Sequence, residues 1–246
     1  MIEFIPETGS TNADLAARLR AGEMVPEGDW LVTDRQSAGR GRQGREWLDG
    51  AGNFMGSTAV RLGFGDPPPA SLALIAGLAL HGVVAPLLVL PHTAMLKWPN
   101  DLMIGNAKLA GVLLEREGDS VVAGIGVNLA SAPRISCRET IALGDICDAP
   151  TRNAFAAALT AQFAVELARW RAYGLPTVIA RWQAAGHPSG TKLSIRLTIG
   201  LSIGEPGEPV LDGTFAGLTD DGQLQLRLGD GSLRIVNAGE VRFRQE

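Results

Sequence analysis

Apolar positions recur along this chain in three rhythms, and each predicts an element. In the first, Phe155, Leu159, Phe163 and Leu167 fall every fourth residue, and Trp170 continues the row. That period puts them on one stripe of an α-helix, facing a core. Thr151 is a cap for its start, Gly174 ends it, and Pro176 opens a shorter helix reaching Trp182. A shorter helical stretch rich in Ala and Leu follows Ser10-Thr11-Asn12, which supplies N-cap residues, and Gly22 suits the position just past its end. The second rhythm is an unbroken apolar run over residues 72–90, without a formal charge. Its length meets the test for a membrane span. It holds Gly77, Gly82 and Pro86 and has no basic flanks, so it reads as a helix buried under a sheet.

The third rhythm is strand-like. Residues 30–34, 53–62, 94–101 and 120–129 are short apolar segments, the third broken by Pro99. Residues 101–104 and 108–115 form a hairpin turning at Gly105-Asn106. Glycines within 120–129 suit a strand that something approaches closely. At His187-Pro188-Ser189-Gly190 the pattern changes to short alternating runs at 193–197, 213–218, 224–228 and 233–236, with Asp221-Gly222 and Asp230-Gly231 as turns. The expected fold is α+β: a mixed sheet with flanking helices over residues 1–188, then a small five-stranded SH3-like barrel over 189–246. The small unit is too slight to be stable alone, so it should pack on the larger one.

Charge and composition narrow the function classes. The formal net charge is -4, a poor start for binding driven by phosphate neutralisation, so no nucleic acid is expected as partner. Cys137 and Cys147 are the only cysteines and form no Cys-x-x-Cys; a reducing cytoplasm follows. Residues 1–7 do not read as a signal peptide, and no membrane partner is expected. His81, His92 and His187 are scattered without ligand spacing, which leaves no zinc site. A P-loop is missing, and Gly39-Arg40-Gly41 lacks the rest of a dinucleotide fingerprint.

Against that ordinary background one stretch stands out: Gly39-Arg40-Gly41-Arg42-Gln43-Gly44-Arg45-Glu46-Trp47. Glycine lets backbone N–H groups approach a ligand and tolerates φ > 0. Arginine offers rigid forks for carboxylate and phosphate oxygens. Trp47 can stack on a flat ring. The stretch reads as a loop that orders around something small and anionic, or as a flexible basic turn. Further polar residues sit oddly among strands: Lys97, Asn100, Asp101, Lys108 and Asn128. The cations suit a developing phosphate charge, and Asn100 and Asp101 offer hard oxygens for Mg²⁺ with substrate phosphates. The plainer readings are snorkelling lysines and a turn after Pro99.

These residues together resemble the biotin–protein ligases. Residues 39–47 are similar to that family's biotin-binding loop, and Lys97-Trp98-Pro99-Asn100-Asp101 to its second signature. Residues 108–115, Gly124-Ile125-Gly126-Val127-Asn128 and Ser10-Thr11-Asn12 are similar to three more, in the same order. The resemblance implies a catalytic domain of the class II aminoacyl-tRNA synthetase-like, biotin–lipoate ligase-like type and a C-terminal SH3-like domain. It implies ATP and biotin as substrates, Mg²⁺, and a biotin carboxyl carrier protein whose lysine receives biotin through biotinyl-5′-AMP. By position, Lys108, Arg42 and Arg40 would be catalytic. Ser10, Thr11, Asn12, Gln36, Gly39, Arg40, Gly41, Arg42, Lys108, Gly111 and Gly124 would bind biotin. Arg42, Arg45, Trp47, Asn100, Asp101, Lys108 and Asn128 would bind ATP, with Asn100 and Asp101 at the metal. Gln43 stands where the family often has Arg, which leaves the loop one charge weaker. Nine residues precede Ser10, too few for a helix-turn-helix, so a ligase without repressor activity is expected, as monomer or homodimer. The rivals are a lipoate or octanoate ligase and, from another class, a non-enzymatic biotin sensor or an RG-loop nucleic-acid binder.

Overall fold

The computed structural model describes residues 1–48, 50–136, 138–197 and 210–244; Cys137 lies outside them. Its larger sheet has seven strands: β1 (Ile2–Thr8), β2 (Trp30–Gln36), β3 (Phe54–Arg61), β4 (Ala94–Lys97), β5 (Asp101–Ile104), β6 (Ala107–Glu117) and β7 (Ser120–Val127). Their spatial order is β1-β2-β3-β7-β6-β5-β4. Only β1 and β2 run parallel; the other neighbours are antiparallel. β1 escaped the sequence reading because none of its residues is fully buried, and most are exposed at the sheet edge.

Strand alternation sends side chains to two faces. Trp30 and Val32 join the main core, whereas Leu31 joins a second cluster with Leu15, Ala16 and Val122. The main core lies against α2 (Leu72–Val84) and α3 (Arg152–Ala185), and the second lies under α1 (Thr11–Arg20). The predicted stripe on α3 is buried from Phe155 to Trp170. Gly174 breaks that helix at φ 69, and Pro176 restarts it. The apolar run ends its regular helix at Val84, six residues before Leu90. It remains long and apolar enough to cross a membrane by length and composition, but most of it is inside the fold, which supports the core-helix reading.

The C-terminal strands β8 (Lys192–Leu197), β9 (Val210–Leu218), β10 (Leu224–Arg227), β11 (Leu233–Val236) and β12 (Gly239–Phe243) form an antiparallel sheet ordered β11-β10-β9-β8-β12. A bulge in β9 opposite Gln225 and Leu226 bends it. Leu193, Ile195, Phe215, Leu224, Leu226 and Val241 belong to the same core as α2 and α3, so the two sheets share one interior. Trp98 Nε1 donates to Gly222 O at 3.1 Å and Gln183 Oε1 accepts from Leu218 N at 2.9 Å across the junction.

Candidate active site

The face of the large sheet that carries α1 is also the face that carries the site. On β7, Val122, Gly124, Gly126 and the following Asn128 point that way; on β6, Gly111, Leu113 and Glu115 do. Gly111 pairs with Gly126 and Leu113 with Gly124. These glycines clear a floor. A Cβ on Gly124 would lie 2.2 Å from Asn12 Oδ1, and one on Gly126 would lie 2.3 Å from the Trp47 ring. The close approach expected at these glycines is therefore made by side chains from α1 and the Gly/Arg loop. The floor opens into a cavity of about 630 Å³, a volume suited to a small organic ligand.

The inner end of the cavity is neutral and fully netted. Ser10 caps α1 by accepting from Ala13 N. Thr11 and Asn12 sit in the first turn, both buried. Gln36 Oε1 accepts from Thr11 N at 2.8 Å. Thr11 Oγ1 lies 2.7 Å from Ser57 Oγ, and Ser57 Oγ donates to Asn12 Oδ1 at 2.6 Å. Asn12 Nδ2 donates to Glu115 at 2.8 Å.

The outer end is charged. Its lining holds Arg40, Arg42, Arg45, Lys97, Lys108, Arg138, Arg196 and Arg242 against Glu46, Asp101 and Glu240. Lys108 Nζ is 2.6 Å from Asp101 Oδ1, and Lys97 Nζ is 3.9 Å from Asp101 Oδ2. Burial raises the carboxyl of Asp101, but Lys108 and Lys97 outweigh it and hold the pKa below the usual value. Burial lowers the pKa of Lys97 and of Arg42, opposed in each case by Asp101. Arg42 donates to Asn100 Oδ1 at 3.2 Å, and Asn100 Nδ2 donates to Val112 O at 2.6 Å. Glu240, on β12, meets Arg45 at 2.8 Å, Arg242 at 3.3 Å and Arg138 at 3.4 Å. Asn128 Nδ2 donates to Ile141 O at 3.2 Å, while its buried Oδ1 has no hydrogen-bond partner among the described residues.

The loop itself is folded over the floor. Arg40 bridges Glu46, a 3₁₀ turn spans Arg42–Gly44, and the Trp47 ring lies 5.7 Å from Lys108 Nζ. Its left-handed positions are Gln43 at φ 58 and Gly44 at φ 67. Gly39 is required for space instead: a Cβ there would sit 2.5 Å from Trp47 O.

Every residue expected in the site lines this cavity except Gly39, which packs behind Trp47. Asn100 and Asp101, the expected Mg²⁺ ligands, both face cations in this arrangement. The carboxylate already faces two ammonium groups, and the amide oxygen faces a guanidinium. The sequence reading missed Ser57, Arg138 and Glu240. Ser57 looked like an ordinary strand residue. Arg138 lies in irregular chain, and Glu240 is separated from the loop by nearly the whole sequence, so neither carried a local signal.

Comparison with known proteins gives the family. Residues 5–130 match the Biotin/lipoate A/B protein ligase family and residues 202–244 match the Biotin protein ligase C terminal domain. The chain is 35% identical to a biotin–[acetyl-CoA-carboxylase] ligase of Mycobacterium tuberculosis, over 98% of this chain and 88% of that one. It is 33% identical to the protein of the same name from Paracoccus denitrificans, over 98% and 99%. Among solved structures, biotin protein ligase from Aquifex aeolicus in complex with biotin and ATP shares the fold, with TM-score 0.82 and 23% identity over 100% and 99% of the two chains. The chain therefore belongs to the biotin/lipoate protein ligase family, among its biotin–[acetyl-CoA-carboxylase] ligases.

Proposed function

We propose that this protein activates biotin with ATP and transfers it to a lysine of a biotin carboxyl carrier protein. The observation that carries the reading is the joining of a neutral, hydrogen-bonded pocket to a cationic mouth within one cavity, with Lys108 where they meet. Biotin has the matching shape: an uncharged polar ring at one end and a carboxylate at the other. With its ring at Ser10, Thr11, Asn12 and Gln36, its carboxylate reaches Lys108 beside Arg40 and Arg42. A carboxylate oxygen attacks the α-phosphorus of ATP, pyrophosphate leaves, and biotinyl-5′-AMP forms. Lys108 and Arg42 offset the repulsion between two anions and the charge that grows on the α-phosphate. Trp47, Asn100 and Asn128 hold the nucleotide, the free Asn128 Oδ1 serving as an acceptor, and Arg45 meets the phosphates. Asp101 positions Lys108 and is not a metal ligand in this scheme. A neutral lysine amine of the carrier then attacks the acyl carbon, and AMP leaves. The loop over residues 39–47 shields the mixed anhydride from water.

The same proposal includes a cytoplasmic location, a division of the chain near residue 188, closure of the C-terminal sheet as an SH3-like barrel, and a class II synthetase-like large sheet. What supports the last two is the bulged five-stranded arrangement and the largely antiparallel seven-stranded one. The test is mass spectrometry of a carrier domain incubated with the protein, ATP, MgCl₂ and either biotin or lipoate. A gain of one biotinyl group is the expected result. Gain from lipoate alone would make this a lipoate ligase, and no gain from either acid would leave a binding protein.

A further inference from the structure

Glu115 closes the motif at residues 108–115, yet it does not line the cavity. It lies on the site face of β6, behind Asn12, where Asn12 Nδ2 donates to it at 2.8 Å. That contact has a directional consequence. A carboxylate only accepts, so it holds the NH₂ of Asn12 toward itself and the Oδ1 toward Ser57. Ser57 must then give its one proton to Asn12 Oδ1, at 2.6 Å. The 2.7 Å contact between Ser57 and Thr11 is thereby donated by Thr11 Oγ1, whose one proton is shared with Gln36 Oε1 at 3.1 Å. Gln36 Oε1 already accepts from Thr11 N at 2.8 Å, which turns Gln36 Nε2 toward Gly39, where an added Cβ would lie 3.1 Å from it. Thr11, Asn12 and Ser57 are each no more than 3% exposed, so water does not scramble these directions.

We propose that Glu115 is a positioning residue that sets the donor and acceptor pattern of the inner pocket for a cyclic urea. Such a ring needs donors at its carbonyl and acceptors at its two N–H groups. A pocket whose amide and hydroxyls could flip would present a mixture of patterns. One fixed carboxylate behind the wall selects one of them. The proposal rests on the biotin reading above and adds to it a residue that never touches the ligand.

The test is calorimetric binding of biotin and, separately, of ATP to the full chain carrying Glu115→Leu or Glu115→Gln. Loss of one charge-assisted hydrogen bond should weaken biotin about tenfold in Glu115→Leu. Glu115→Gln keeps an acceptor for Asn12 and should recover most of that loss. ATP affinity should stay within about twofold in both, because none of its proposed contacts depends on Asn12. A merely structural role would lower both affinities together, and that result overturns the proposal, as does biotin affinity unchanged in Glu115→Leu. If Glu115→Leu does not fold, Ser57→Ala breaks the same chain of bonds and should weaken biotin alone; equal losses for biotin and ATP would again overturn it. Failure of the unmodified protein to bind biotin would instead remove the biotin reading itself. Binding by the unmodified protein with insensitive variants removes only Glu115.

Discussion

At the inner end of the cavity Thr11, Asn12 and Ser57 are bonded to one another and to Gln36 and Glu115. At the outer end Lys97 and Lys108 share the single carboxylate of Asp101, and three arginines share Glu240. The inner end is complete before any ligand arrives, so it can select by shape and hydrogen-bond pattern without reorganising. The outer end is short of negative charge, which in the proposed function phosphates supply. In that proposal one end serves recognition and the other stabilises charge that appears during reaction.

The largest effect should come from the residue where the ends meet. Lys108→Ala removes an ammonium held 2.6 Å from Asp101 and aimed into the cavity. Adenylate formation in single-turnover measurements should slow by roughly 10²- to 10³-fold, as for loss of one preorganised donor. Biotin binding should change far less. A variant with near-normal adenylation would erase the division between the two ends.

The charge surplus reaches behind the mouth as well. His187 is buried between Trp182, Phe215 and Phe243, and neither ring nitrogen has a hydrogen-bond partner among the described residues. Burial, helped by Lys97, lowers its pKa from 6.5 to about 4. Between those values the unfolded chain takes up a proton that the folded chain refuses. Its contribution is therefore intact above about 6.5 and falls as pH drops to about 4, by up to about 3 kcal/mol. Asp101 and Glu166 also have lowered values, and their contributions disappear at lower pH still, as pH falls through their folded pKa. Denaturant titrations between pH 7 and 4 should show the slope, and His187→Leu should flatten it. An unchanged slope in that variant would assign it to other groups.

Gly126→Ala separates the ends by a third route. Its Cβ would lie 2.3 Å from the Trp47 ring, so the ring must leave its seat, at a cost of about 2 kcal/mol. Amides of residues 40–48 should then exchange faster in the ligand-free protein, and the KM for ATP should rise more than the Kd for biotin. Unchanged exchange would mean that Trp47 does not anchor the loop.

The two ends were not equally legible in the sequence. Short-range patterns gave the helices, the hairpin of β5 and β6, and the close approach at the β7 glycines, because each is written in one continuous stretch of sequence. The mouth's cations were visible as odd residues among strands. What they face was not, since Glu240 and Arg138 come from the last strand and an irregular segment. Asp101 shows the cost of reading residue type without partners. Beside Asn100 it suggested a metal ligand, and nothing local in the sequence marked the two lysines that the fold places on it. β1 was missed because at the sheet edge none of its residues is fully buried and no alternation of apolar and polar positions marks it.

Gln43 offers the smallest and most delicate test. On sequence alone it looked like a lost positive charge in a loop that holds anions. In the fold its Oε1 accepts from Arg45 Nη2 at 3.0 Å, and that same nitrogen lies 2.8 Å from Glu240. Gln43 therefore helps aim Arg45, a task an arginine cannot perform, because it has no acceptor. Both side chains carry the same disadvantage at φ 58, so backbone strain does not choose between them. Two remaining effects oppose each other. Gln43→Arg adds a partly exposed charge near where the proposed function puts the phosphates, worth about 0.2–1 kcal/mol. It removes a hydrogen bond to a charged group, worth about 1.5–3 kcal/mol, and sets two guanidinium groups side by side. The lost hydrogen bond outweighs the added charge, so Gln43→Arg should release biotinyl-5′-AMP several-fold faster than the unmodified chain. Stopped-flow tryptophan fluorescence during chase with excess biotin and ATP measures that rate. Slower release would show that charge alone governs retention at the mouth and that the aim of Arg45 does not matter.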